Sequence, residues 1–205
     1  SIHALAHLAE TRDPETGKHL HRTQEYVRTL AVGLRNHPRF SRYLNQKTID
    51  ALVQSAPLHD IGKGSIPEQV LLKPGKLTAE EWEVMKTHAE LGYKAIAQAE
   101  ADAEKPVEFL AMAKLIARSH HEKWNGSGYP DQLAGDDIPI AARLMALADV
   151  FDALTCQRVY KAAFSFEDAY RIITDGRGAH FDPDVVDAFI RDFDTFKSIA
   201  TAYAE

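Results

Sequence analysis

Cysteine is almost missing: among 205 residues there is one, Cys156. A single thiol excludes an internal disulfide and a cysteine-built structural zinc site, and makes the cytoplasm the expected compartment. Long apolar runs are missing too. No stretch approaches the roughly 18 to 20 apolar residues that a membrane span requires. The opening SIHALAHLAETRD lacks a basic start and an unbroken apolar stretch, so it does not read as a signal peptide. Positive charge is not in excess either. The net charge of −6 argues against nonspecific DNA or RNA binding, which needs Lys and Arg to neutralise a run of phosphates. A small phosphorylated substrate stays compatible, because bound metal cations reverse the local sign of a site. Strand-like alternation, internal repeats and low-complexity tails are all lacking.

What is present is helical periodicity in a chain 45% hydrophobic and 26% charged, long enough for one substantial core. Ile2, Leu5, Leu8 and Ala9 predict a short first helix. Asp13 and Pro14 cap a second that runs to about Arg35, with Leu20, Thr23, Val27, Leu30 and Leu34 on its buried stripe. A third carries Ile49, Leu52, Val53 and Ala56 into LHDIGKGSIP. Thr78 and Glu81 form a capping box for a helix presenting Trp82, Met85, Ala89, Tyr93 and Ile96 to the core. The polar QAEADAEKP reads as a loop. A helix from about Val107 leads to His120, and EKWNGSGYPDQLAGDD is too rich in Gly and Asp to be an element interior. Pro139 opens a long apolar helix through Leu154, Ser165 and Asp168 make a further capping box, and Asp182 with Pro183 starts the last clear helix. The fold expected is all-α, a single domain of about seven to eight helices. The chain enters directly in helix without an initiating Met, which suggests a catalytic module excised from a longer chain with an upstream regulatory domain.

Histidine is the over-represented residue, with ten copies, two of them adjacent at His120 and His121. His59 and Asp60 are adjacent within an apolar setting, where a buried carboxylate needs a metal or a cationic partner. The ordinary alternative is a helix-terminal His followed by a capping Asp. Asp149 lies in LMALADVFDAL, a helix apolar enough to be central, and Asp152 follows it by one turn. His88 falls towards the buried side of its helix, where a backbone-bonded core His is the plain alternative. Glu15 and His19, four apart, can touch one ion or form a solvated pair, with Arg22 and Tyr26 continuing their line. Acid and imidazole positions spread over five helices are how a bundle builds a multi-metal centre. Such donors suit Fe, Mn or Zn, and a bridging carboxylate such as Asp60 holds two ions about 3.5 to 4 Å apart. Lys63, Arg158 and Lys161 supply charge for phosphates, or are ordinary surface cations. His3, His7, His21, His37 and His180 read as structural or exposed.

These residues fall in DPETGKHLHR at 13–22, HDIGKGSIP at 59–67, KTHAELG at 86–92, HHEKWNGSGYP at 120–130, ADVFDALTCQRVYK at 148–161 and GAHFDPDVVDAF at 178–189. In that order they resemble the HD-GYP family, a branch of the HD-domain metal-dependent phosphohydrolases. The resemblance implies a helical domain that cleaves cyclic di-GMP to linear pGpG, in some members onward to GMP, with some relatives acting on cyclic GMP-AMP. It implies metal ligation by His59, Asp60, His88, His120, His121 and Asp149, with Asp60 bridging two ions. Glu15 and His19 match the ligands of members with a third ion. Lys63, Asp152, Arg158 and Lys161 match the substrate-facing group, and Gly128, Tyr129 and Pro130 the named loop, itself a possible partner surface. One departure is Val159, where the family usually has Pro. The reaction expected is in-line attack by a metal-generated hydroxide, with Lys63 and Arg158 stabilising phosphoryl charge and Asp152 or a bound water protonating the leaving ribose. The rival readings are a phosphohydrolase for another nucleotide and a catalytically idle interaction module.

Overall fold

The structure is a computed structural model that describes residues 17–157 and 161–204. Nine helices of eight residues or more lie among the described residues. They are α1 (Gly17–Leu34), α2 (Gln46–Ser55), α3 (Ala79–Lys86), α4 (His88–Asp102), α5 (Glu108–Ser119), α6 (Ile140–Thr155), α7 (Phe166–Asp175), α8 (Pro183–Arg191) and α9 (Phe193–Ala202). Among the described residues no strand forms, and isolated bridges join Asn125 with Ala134 and Arg177 with Phe181. The all-α expectation holds.

Helix α6 runs through the centre, with residues 141–148 all buried. It packs against α1, α5, α7 and α8. Phe151 on α6 meets Tyr26, Phe189 and Phe196 from three other helices at 5.2, 5.6 and 5.2 Å between ring centroids. Each such buried aromatic contributes about 1.5–3 kcal/mol through lost apolar surface. The expected stripe of α1 is buried at all five positions. A smaller apolar cluster of Leu20, Leu58, Ile96, Ala113 and Ala117 lies apart from this core. Leu20 and Leu58 immediately neighbour His19 and His59 in sequence, and Ala117 precedes His120 by one turn.

Four local expectations are corrected. The helix beginning at Ala79 stops at Lys86, and a new one starts at His88, with Thr87 between them at φ −65 and ψ −15. The break leaves Trp82 45% exposed, where the pattern had placed it in the core. The capping box itself is present in both directions. QAEAD is helical to Asp102, because Ala, Gln and Glu are strong helix formers and Gln98 bonds Asp102 one turn on. Ser165 caps Asp168 N in one direction, while the Asp168 carboxylate takes Arg171. The last helix divides at Asp192 into α8 and α9. The predicted first helix and the Asp13–Pro14 cap lie outside the described residues.

Candidate metal centre

His59 and Asp60 are both buried because α2 does not simply end before them. It tightens into a 3-10 turn, Ala56–Leu58, with Pro57 inside, and rewinds as a second, Ile61–Ser65. Three-residue hydrogen bonds carry the chain through: His59 N to Ala56 O, Lys63 N to Asp60 O and Ile66 N to Lys63 O. The second turn is pressed against the start of α4. A Cβ on Gly62 would lie 1.9 Å from His88 O and 2.5 Å from Gly92 N, so only glycine permits the approach that sets Asp60 beside His88.

Two groups of donors result, and Asp60 belongs to both. Asp60, His88, His120 and His121 form one; His19, His59, Asp60 and Asp149 form the other. Within each, one donor atom per residue lies within 4.8 Å of the rest. Asp60 Oδ1 is 3.3 Å from His120 Nε2 and 3.5 Å from His88 Nε2. Asp60 Oδ2 is 3.2 Å from His59 Nε2, which is 3.4 Å from Asp149 Oδ1. His121 and His88 face each other through Nε2 at 3.1 Å. Atoms bound to one ion at 2.0–2.2 Å stand roughly 3 to 3.5 Å apart, so these separations match a shared cation.

Ring orientation supports the same use. Nδ1 of His59, His88 and His120 lies 2.8, 2.6 and 2.9 Å from the carbonyls of Ala56, Met85 and Ile116. A carbonyl only accepts, so each Nδ1 carries the proton and each Nε2 keeps its lone pair for the interior. His19 Nδ1 makes the equivalent bond to Asp152 Oδ2 at 2.6 Å. His59 Nε2, His120 Nε2 and Asp60 Oδ1 are buried with no hydrogen-bond partner among the described residues. Leaving such atoms unsatisfied costs about 1–3 kcal/mol each, a cost that a divalent cation removes.

The charges agree. Burial lowers the proton affinity of His59, but Asp60 and Asp149 outweigh it and raise the pKa well above the ordinary value. The field that would hold a proton there attracts a cation in its place. His121 is driven well below the usual value by burial and by His120 and His88, which keeps it neutral. For Asp60, burial is outweighed by Lys63 and His59, and its carboxyl is held well below the usual range. The set has imidazole and carboxylate donors without thiolate, and it fits divalent Fe, Mn or Zn.

Around this centre the expected residues separate. Lys63 Nζ is 3.2 Å from Asp60 Oδ2. Tyr129 lies flat on His121, with centroids 4.8 Å apart and planes 16° apart. Asp152, expected among the substrate-facing residues, is 2% exposed, and both its oxygens are engaged by His19 and Arg22. Burial raises its pKa, but these bonds prevail and lower it. It therefore sits behind His19 and orients that ring. Lys161 is exposed with its ammonium 5.0 Å from the Phe164 ring, and no described contact joins it to the donors. Glu15, Arg158 and Val159 lie outside the described residues.

For two residues the sequence offered no role. Arg22 is buried, and besides Asp152 it holds Tyr203 O at 2.9 Å. Its place on the line of Glu15 and His19 was the available signal. Glu122, 2% exposed, accepts from the amides of Asp131 and Leu133 at 2.8 and 3.1 Å and so pins the loop after His121. Gly128 brings the loop back over that turn, since a Cβ there would lie 2.4 Å from His121 O.

A helical bundle with two histidine and aspartate donor groups joined by one carboxylate defines a class of metal-dependent hydrolase fold. A family model described as "HD domain" matches residues 3–185. Over essentially the whole chain it is 54% identical to a probable cyclic di-GMP phosphodiesterase and 54% identical to a cyclic di-GMP phosphodiesterase, both of Vibrio cholerae serotype O1. The chain spans 46% and 42% of those two proteins. The solved structure of an HDG"Y"P protein from Bdellovibrio bacteriovorus superposes with a TM-score of 0.60 at 19% identity, covering 88% of this chain and 54% of that one. That likeness bears on the fold. The chain belongs to the HD-GYP branch of the HD-domain phosphohydrolases.

Proposed function

We propose that this chain hydrolyses one phosphodiester bond of cyclic di-GMP, giving linear pGpG, at a centre of divalent ions. The observation that carries this is the pair of donor groups sharing Asp60, in a chain 54% identical to a cyclic di-GMP phosphodiesterase. Two ions, iron or manganese in preference to zinc, would be held by His88, His120 and His121 on one side and His19, His59 and Asp149 on the other. Glu15 would add a carboxylate for a third. When bound, such ions lower the pKa of water and neutralise phosphoryl charge.

The protein's own groups do the positioning. Asp152 fixes the tautomer and plane of His19 through its Nδ1 bond. Lys63, next to Asp60 at the edge of the cluster, places an ammonium where phosphate oxygens gather negative charge. Arg158 can engage two phosphate oxygens, and Lys161 one. Tyr129 and the loop pinned by Glu122 wall one side of the site. No helix among the described residues is long and apolar enough to cross a membrane. The single thiol and a soluble nucleotide substrate favour the cytoplasm as the working compartment.

The test is metal analysis of anaerobically purified protein together with product analysis on cyclic di-GMP and cyclic GMP-AMP. Iron or manganese at two or more per chain and a pGpG product are expected. Fully loaded protein that spares cyclic di-GMP but cleaves cyclic GMP-AMP or another nucleotide would replace this reading.

A further inference from the structure

Helix α3 has no buried residue, yet it carries a tryptophan. Trp82 is 45% exposed, so the indole contributes little to the core. Its position is specific all the same. Its ring meets Tyr129 edge to face at 6.0 Å and 86°. Tyr129 in turn stacks on His121, a member of the donor group around Asp60. A file of aromatic rings thus leads from the candidate metal centre to the surface and ends on an exposed indole. Lys86, one helical turn after Trp82, holds its ammonium 5.9 Å from the same Tyr129 ring. The file therefore ends beside a cation.

We infer that Trp82 is a purine-stacking residue, which holds one base of the cyclic dinucleotide while its phosphodiester lies at the metal centre. This rests on the proposed function. A nucleotide whose phosphate is drawn to cations must put its flat base somewhere close by. The exposed indole, two ring contacts from a metal donor, offers the π face that stacking needs. Removing an aromatic side chain from under a stacked base weakens binding by roughly 5- to 150-fold, and such stacking tolerates any base. Trp82 therefore contributes affinity for nucleotide over simple diesters.

The experiment compares metal-loaded wild type, Trp82→Ala and Trp82→Phe on two substrates, cyclic di-GMP and bis(p-nitrophenyl) phosphate, which has no purine. Trp82→Ala is expected to raise KM for cyclic di-GMP roughly thirtyfold, the middle of the range for one lost stack. Its kcat, its metal content and its rate on the nitrophenyl diester should stay at wild-type values, and Trp82→Phe should recover most of the lost KM. Equal losses on both substrates would mean that Trp82 only supports the loop, and would overturn the inference. So would a KM for cyclic di-GMP within twofold of wild type. If wild type cleaves the nitrophenyl diester but not cyclic di-GMP, the proposed function falls and takes this role with it. If wild type cleaves both and Trp82→Ala is unaffected, the stacking role falls alone.

Discussion

Around Asp182, carboxylate oxygens meet guanidinium groups; around Asp60 Oδ1, the neighbours are ring nitrogens at 3.3 and 3.5 Å without hydrogen-bond geometry. Both aspartates are buried in the same bundle. Asp182 takes Arg39 at 3.1 and 3.2 Å and Arg143 at 3.0 Å, while also capping α8 through Asp184 N. The two arginines lie over the Trp124 ring at 5.5 and 5.7 Å. That cluster answers its charges with its own residues. The other brings lone pairs towards one another and needs a cation from outside. Burial and acidity are common to both, so neither identifies a metal site. What separates them is hydrogen bonding: both Asp182 oxygens find donors inside the fold, whereas Asp60 Oδ1, His59 Nε2 and His120 Nε2 find none, even though Lys63 reaches the other Asp60 oxygen.

The strongest way to break this comparison is Asp60→Ala. Because Asp60 belongs to both donor groups, the variant should lose metal from both and drop to background hydrolysis, with its helical circular dichroism kept. Asp149 belongs to one group, so Asp149→Ala should lose one ion's worth of metal and keep the other. Metal stoichiometry on matched preparations reads both; full occupancy in the Asp60 variant would show the wrong carboxylate has been chosen as the bridge. Asp182→Ala should do the reverse. It removes the buried carboxylate that two guanidinium groups share, one of them buried, and should cost about 3 kcal/mol of stability by urea unfolding. That is the low end for a broken buried pair, because Arg39 keeps Asp136 and Asp184 and Arg143 keeps Ile138 O. The folded fraction should still bind its full complement of metal. A parallel loss of metal would mean that the two clusters are not separable.

The same contrast explains what the sequence disclosed. The donors were legible because each is a polar residue in an apolar setting: Asp149 in α6, His88 near Ala89, and His59 and Asp60 between Leu58 and Ile61. The α1 stripe and the start of α6 were legible from spacing and Pro139. The partners were not. Arg22 reaches Asp152 across 130 residues, and Arg143 reaches Asp182 across 39, pairings that no local pattern announces. Asp152 shares a helical face with Asp149, yet His19 and Arg22 of α1 hold both its oxygens, which spacing alone does not announce. The breaks at Thr87 and Asp192 were also hidden, because neither has the Gly or Pro that marks a helix end.

Asp152 offers a smaller test, because it belongs to the outer layer of the metal cluster and is itself paired with Arg22. Asp152→Asn keeps the shape and removes the charge that holds His19 Nδ1–H. Metal affinity should fall about 10–100-fold, the usual effect of losing such a partner, and excess metal should restore much of the activity. Competition with a chelating dye measures it. An unchanged affinity would return Asp152 to the substrate side.

The smallest expected effect concerns His180, beside the self-paired cluster. It is stacked on Phe181 at 4.1 Å, and burial, helped by Lys123, pushes its pKa from 6.5 down to about 4. The folded protein thus holds this ring neutral in a pH range where the unfolded chain protonates it. Its contribution to stability is complete above about pH 6.5 and is lost as the pH falls towards 4. With its partial exposure discounted, the loss is on the order of 1–2 kcal/mol. His180→Gln cannot take up that proton. In chelator, where the metal cluster is empty in both proteins, urea midpoints at pH 7.5, 5.5 and 4.5 should fall more steeply for wild type than for the variant. Parallel acid limbs would mean that His180 is protonated without cost, and that its surroundings accept a further charge as readily as water does.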